Sequence, residues 1–341
     1  MSEKVLFPRE AGRFIAETSK DVEVKEEGVR KIAKLIIEYA RQGKFRVDRW
    51  KDHELNPITQ DKAAVDWIFV SDVLNFSFWA DDDSKKYTVS YKGKPYTGYW
   101  SLCAAINRAV DEGYAITDPD FYASISKEDL QKIFRSDSSV DIPLLEQRHQ
   151  VLCETGKVLL KKYDGSFVNC IRECNQSAEK LMRLIVENFP SMRDEAEYCG
   201  KKVALYKRAQ ILIADIWAAC GGKGLGEFHD IDTITMFADY RIPQVLTYYG
   251  ALKYSNSLQD KLQKDNILEN GERQEVEIRG CSIWATELIV EEVKRLTAGD
   301  EQLKDLPCNA IMVDHYLWDH RREFQVDMES TPYHKTRSIY Y

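Results

Sequence analysis

Between Leu205 and Cys220 apolar side chains return every three or four residues. Leu205, Ala209, Leu212, Ile213, Ile216, Trp217 and Cys220 form one stripe, and Gly221-Gly222 follows it. That spacing matches the turn of an α-helix, and glycine suits the left-handed residue at which helices stop. The same period recurs in Gly28 to Gln42, Trp100 to Glu112, Ile142 to Leu160, Ser177 to Phe189, Tyr240 to Leu252, Trp284 to Leu296 and Ala310 to Trp318. Asp61 to Val70 reads as helix too. Ser126 is a suitable N-cap for a helix opening at Lys127, and Pro190 stops the one before it. Only one stretch reads differently. Leu74-Asn75-Phe76-Ser77-Phe78-Trp79 alternates apolar and polar side chains, and Tyr87 to Tyr91 follows with a turn at Lys92-Gly93-Lys94. Both are strand signals. The expected class is mainly α with a small antiparallel β element near residues 72–98.

The chain shows no internal repeat, low-complexity stretch or long linker. One compact domain over residues 1–341 is expected, with two intimate lobes as the variant reading: an N-terminal part holding the sheet and a helical part over 125–341. A chain of 341 residues can bury about three quarters of its unfolded surface. Hydrophobic residues are 44% and charged residues 30%, the profile of a soluble folded protein. The net charge of −8 comes with no long basic run, whereas a duplex-binding face concentrates Lys and Arg. A small ligand is the better expectation, with no direct nucleic-acid contact. No apolar run approaches the length of a membrane span, and the first residues show no signal-peptide core. The eight cysteines include no C-x-x-C pair, so a reducing compartment with free thiols is expected.

Four segments have the composition of a site. In Thr235 to Gln244, Asp239 sits among aromatic neighbours just before Pro243. It reads either as a helix cap or as a carboxylate that stabilises positive charge on a ribose, with Phe237 stacking on a base. In Val313 to Arg322, Asp314 and Trp318 share a helical face with Asp319 beside it. The choice there is a solvated charged face or a pocket for a cationic, hydrogen-bonding ligand. Asp52-His53-Glu54-Leu55-Asn56-Pro57 is an ordinary polar loop or a loop that aims His53 at a ligand. In Leu205 to Gln210, Lys207 or Arg208 is a solvated charge or a phosphate ligand at a helix N-terminus. Gly222-Lys223-Gly224-Leu225-Gly226 follows a helix rather than a strand, which excludes a Rossmann or P-loop cradle. No cofactor is expected. His315 and His320 are five apart, unlike a helical zinc pair, so no metal is expected. No G-x-S-x-G elbow occurs.

Taken together, these segments resemble the queuosine salvage protein family, the queuosine 5′-phosphate N-glycosylase/hydrolases. The resemblance rests on Asp52 to Pro57, Leu74 to Trp79, Tyr206 to Gln210, Phe237 to Gln244, Val313 to Asp319 and the terminal Arg337-Ser338-Ile339-Tyr340-Tyr341. It runs in order along essentially the whole chain. It implies a fold similar to helix-hairpin-helix DNA glycosylases and a hydrolase that cleaves the N-glycosidic bond of queuosine 5′-phosphate, releasing queuine for tRNA. Apart from the resemblance, a cytoplasmic monomer is expected, with the nucleus as a further location. Queuine is a 7-deazaguanine, so no N7 is present to take a proton, and the leaving base must be activated elsewhere. The ribose passes through an oxocarbenium-like state. On this resemblance Asp239 is the catalytic carboxylate. Phe237, Asp314, Asp319, His53 and Tyr316 bind the base or its amine arm. Lys207 binds the phosphate, with Arg208 and Lys202 as substitutes. The competing readings are a non-catalytic queuosine-derivative binding protein, a DNA glycosylase-like enzyme acting on a flipped base, and a helical scaffold.

Overall fold

The computed structural model describes residues 5–82 and 84–341. The chain divides into two compact units. One takes residues up to Arg49 together with Asp194–Gln210 and Asp232–Arg337; the other takes Trp50–Arg193, Ile211–Ile231 and Ser338–Tyr341. Helices dominate both. Each of the three two-stranded sheets among the described residues is antiparallel.

The first unit is organised around the 25-residue helix Arg273–Thr297. Helices Pro8–Thr18, Glu26–Arg41, Ile242–Tyr248 and Ala310–Glu323 all pack on it. Its first half is buried around its whole circumference, polar residues included: Gln274, Glu275, Glu277 and Arg279 lie beside Val276, Ile278 and Cys281. Gly280 makes the closest approach possible, because a β-carbon there would sit inside the side chain of Ile15. Strand Val22–Val24 pairs with Leu252–Tyr254, and hairpin Glu195–Tyr198/Lys201–Ala204 completes the unit's sheets. Glu277 is fully buried and accepts from the Asp21 backbone N–H at 2.7 Å and the Tyr198 hydroxyl at 3.0 Å. A buried carboxylate is tolerable only when so paired.

In the second unit, helices Lys62–Val73, Tyr99–Asp111, Leu145–Lys162, Phe167–Glu173 and Ala178–Asn188 surround an apolar interior. Asp61, Ser126, Ser166 and Ser177 cap their helices by accepting a backbone N–H, as capping chemistry requires. The hairpin Thr88–Tyr91/Lys94–Thr97 carries the expected turn at Lys92-Gly93.

Three expectations need correction. Leu74 to Trp79 is not a strand. Ser77 adopts φ 50°, and the segment's carbonyls are taken by a side chain rather than a neighbouring strand. The buried Arg148 guanidinium donates to Leu74 and Phe76 oxygens, and the Ser77 backbone N–H donates to the Tyr341 carbonyl at 3.0 Å. Alternation records that two faces differ, and an extended segment with side-chain partners shows it as well as a sheet does. The helix expected over Tyr240 to Leu252 is shorter, Ile242–Tyr248, and Leu252 opens a strand. The helix expected from Trp284 begins eleven residues earlier, at Arg273. Among the described residues no helix is long and apolar enough to cross a membrane. All eight cysteines are unbridged.

Candidate active site

Asp239 lies in the short connection that enters helix Ile242–Tyr248. Its Oδ1 accepts the backbone N–H of Arg241 at 2.8 Å and of Ile242 at 2.9 Å. Cap and functional acid are therefore not exclusive. One oxygen is fixed by the helix start, and no hydrogen bond among the described residues engages Oδ2. Pro243 stands in the first turn, where its missing N–H costs nothing. Asp239 keeps some solvent-accessible surface, yet its carboxyl is closely enclosed. Burial raises its pKa; the Ile242 N–H, the Lys207 ammonium and the Arg241 N–H pull it back.

Asp314 comes from helix Ala310–Glu323 and is only 3% exposed. Its Oδ2 accepts the Phe237 backbone N–H at 2.9 Å. Burial, and then the charge of Asp239, push its pKa up to about 8; His315, the Phe237 N–H and Lys207 oppose the shift. A carboxyl so placed stays protonated at neutral pH and can donate a hydrogen bond. Two acids with like charge in one enclosed site cannot both ionise cheaply. The ring of His315 stands 5.9 Å from that of Phe237.

Lys207 opens helix Lys207–Ala219 and is buried. Its backbone N–H donates to Oδ2 of Asp194 at 3.1 Å. Tyr206, just before it, sits at φ 46°, which a bulky residue adopts only when held. Its N–H donates to the Asp194 carbonyl at 3.3 Å and its hydroxyl to Glu195 at 2.6 Å. Gln210 ties the same helix to the Asp239 segment, its Oε1 accepting the Thr235 backbone N–H at 2.8 Å. Arg208 is likewise buried. Lys202 pairs with Glu195 at 2.5 Å.

Asp239, Phe237, Asp314 and Lys207 thus stand together. Two other residues of the Asp314 helix engage elsewhere. The Tyr316 ring packs against Tyr39 and His320, with centroids at 5.0 and 5.4 Å. Asp319 receives Nε of Arg49 at 2.7 Å. His53 belongs to the other unit, where its ring lies flat on Trp100 at 3° between planes.

The match to known proteins covers the residues that build this geometry. A family model described as queuosine salvage protein matches residues 55–341. The chain belongs to the queuosine salvage protein family. A mouse relative named queuosine 5′-phosphate N-glycosylase/hydrolase is 55% identical over 98% of this chain and 99% of its own length. A relative of the same name from Bos taurus is 52% identical over 99% of each chain. One from Schizosaccharomyces pombe is 42% identical, covering 96% of this chain and 97% of its own.

In this member of the queuosine salvage family, three groups behind the site escaped the sequence reading. Arg279, Asp194 and Glu275 are buried charges: Glu275 stands one turn before Arg279 on the same helix, but Asp194 lies 85 residues away in the chain. No local spacing announces such a set. The only trace is the run Arg273-Gln274-Glu275-Val276-Glu277-Ile278-Arg279, too polar for an ordinary core and continuous with an apolar helix.

Proposed function

We propose that this chain hydrolyses the N-glycosidic bond of queuosine 5′-phosphate and releases queuine for reuse in tRNA. The carrying observation is the pair of acids, Asp239 and Asp314, held near one buried lysine, where burial raises the pKa of both and the charge of Asp239 helps to push that of Asp314 up to about 8. Paired carboxyls of unequal acidity are what acid–base cleavage of a glycosidic bond needs.

In this reading Asp239 is the ionised partner. Its free Oδ2 takes a proton from water, or meets the ribose C1′ directly, as positive charge develops there. Asp314, protonated, donates to the pyrimidine-ring edge of the base. The C1′–N bond breaks, its electron pair leaves with the base, and water oxygen bonds to C1′. A deazapurine lacks N7, so a donor at another edge supplies the activation that N7 would otherwise accept. Phe237 stacks on the base. Asp319 and Tyr316, which also pair with Arg49 and pack on Tyr39, serve as further substrate contacts. Lys207 binds the 5′-phosphate, with Arg208 as substitute, and its charge also favours ionisation of Asp239.

The mainly helical architecture supports kinship with helix-hairpin-helix DNA glycosylases, and the net charge of −8 supports a mononucleotide over a duplex. The unbridged thiols support a reducing compartment. The proposal therefore includes a cytoplasmic monomer, with the nucleus as a further location. Purified protein incubated with queuosine 5′-phosphate should yield free queuine by mass spectrometry. Binding without release would instead make the chain a carrier.

A further inference from the structure

One buried ion pair joins the two segments that carry Asp239 and Lys207. Arg279 is 1% exposed and Asp194 is 3% exposed. The Arg279 guanidinium grips Asp194 with both terminal nitrogens, Nη1 to Oδ1 at 2.9 Å and Nη2 to Oδ2. Its Nη1 also reaches Glu275 at 3.2 Å. Its Nε–H donates to the backbone carbonyl of Ala238 at 2.8 Å. Ala238 immediately precedes Asp239. Asp194, for its part, accepts the Lys207 N–H through Oδ2 and the Leu205 and Tyr206 N–H groups through its carbonyl. Arg279 Nε and Asp194 Oδ2 thus each engage backbone at or next to a proposed working side chain.

Stability alone is a poor reason for such an arrangement. A buried ion pair often contributes no more than apolar residues of the same volume would. What it supplies is geometry: a planar fork, fixed at both ends, sets one distance. We propose that Arg279 and Asp194 are positioning residues for the reaction, holding the Ala238 carbonyl and the start of helix Lys207–Ala219 so that Asp239 and Lys207 keep a fixed separation. This rests on the assignment of Asp239 to catalysis.

The charges facing each group define what the pair can influence. Around Asp239 stand Lys207, Arg241, Asp314 and the Tyr240 phenol. Arg279 faces Asp194, Glu275 and the fully buried His334, whose pKa burial and Arg279 push down to about 3. Lys207 favours the ionised form of Asp239. A wider separation weakens that help, and the pH at which Asp239 ionises then rises.

The test is Arg279→Lys in the full chain, with Asp194→Asn as a second variant. A lysine offers a cation to Asp194 but not the simultaneous Nε–H to Ala238. Melting temperature, kcat, KM and the pH profile of kcat/KM are measured for both. The expectation is a kcat lower by about tenfold or more, since misplacement by an ångström costs up to about a hundredfold. KM should stay within about threefold, and the acid limb of the profile should move to higher pH. Asp194→Asn keeps the shape and an acceptor for Lys207, so it reports the same limb if the lysine variant does not fold. The proposal is overturned by unchanged kcat and limb in a folded variant. It is equally overturned by a rate loss that only tracks the unfolded fraction, with the limb in place. Asp239→Asn in the same assay separates the two ideas. Normal turnover there removes Asp239 from catalysis itself, whereas an inactive Asp239→Asn beside a normal Arg279→Lys removes only the positioning role.

Discussion

The Asp314 carboxyl accepts the backbone N–H of Phe237 at 2.9 Å through Oδ2, so an acid on helix Ala310–Glu323 is pinned to the segment that ends in Asp239. That single bond brings two acids 75 residues apart in sequence into mutual electrostatic reach. Enclosure then does what it does to any such pair: it penalises the second negative charge.

Replacing Asp239 by Asn preserves an oxygen for the Arg241 and Ile242 N–H groups, so the helix start survives. Base release should nonetheless fall by roughly two to four orders of magnitude, the usual worth of a positioned acid–base group. Queuine formation by mass spectrometry, beside a melting curve, reads both. Turnover within about threefold of the parent would end the catalytic assignment.

The elevated pKa of Asp314, up to about 8, has two consequences of known sign. Between the ordinary carboxyl range and that value, the folded chain holds a proton that the unfolded chain has released. Its contribution to stability is therefore present at low pH and lost as pH rises through about 8. Asp314→Asn should flatten this dependence, gaining stability relative to the parent on going from about pH 5 to about pH 9. Urea unfolding at the two pH values checks it. Activity should show a basic limb near the same pH, absent from the variant's residual rate.

Lys207→Ala separates phosphate binding from general electrostatics. A phosphate contact predicts a larger loss on queuosine 5′-phosphate than on the nucleoside, by about tenfold or more in kcat/KM, since a charge-assisted hydrogen bond is worth about 1.5–3 kcal/mol. Equal losses on both substrates would assign Lys207 to the acids alone.

Arg148 governs stability rather than chemistry. It is fully buried and donates to the Leu74, Phe76 and Pro143 carbonyls while lying over the Phe76 ring at 4.4 Å. Arg148→Ala should cost about 3 kcal/mol or more, because it strands buried carbonyls and opens a cavity. Calorimetry gives the loss. A melting temperature unchanged in Arg148→Ala would contradict the account of the Leu74 to Trp79 segment.

Gly280→Val should destabilise by about 2–3 kcal/mol through overpacking, since helices Pro8–Thr18 and Arg273–Thr297 touch at this residue and Ile15 fills the space. A denaturant midpoint equal to the parent's would show that the two helices can part without penalty.

The legible parts of this protein are those in which one face is wet and the other dry. Helix Glu26–Arg41 and helix Ala178–Asn188 show their apolar stripe in the sequence, and both form within a few residues of where that stripe runs. Ser126 is a readable cap because capping is a local interaction between a side chain and the next turn. The first half of Arg273–Thr297 was not readable, since it is buried on every side and period vanishes when no face is exposed. Leu74 to Trp79 misled for the opposite reason: its alternation is real, but its partners are Arg148 and the chain's last residues.

The sequence by itself determined the helical class, the positions of Asp239, Phe237, Asp314 and Lys207 as chemically suitable groups, and the family to which the motifs belong. Only the tertiary structure decided that these four meet, that Asp239 caps a helix with one oxygen while its carboxyl is enclosed, and that Tyr316 and Asp319 turn to Tyr39 and Arg49. It alone encloses both carboxyls and so raises the pKa of each, that of Asp314 to about 8. Local pattern follows from the period of a helix, which any short stretch of chain records. A shifted pKa follows from what encloses a group and which charges stand beside it, and those neighbours come from residues that only folding brings near.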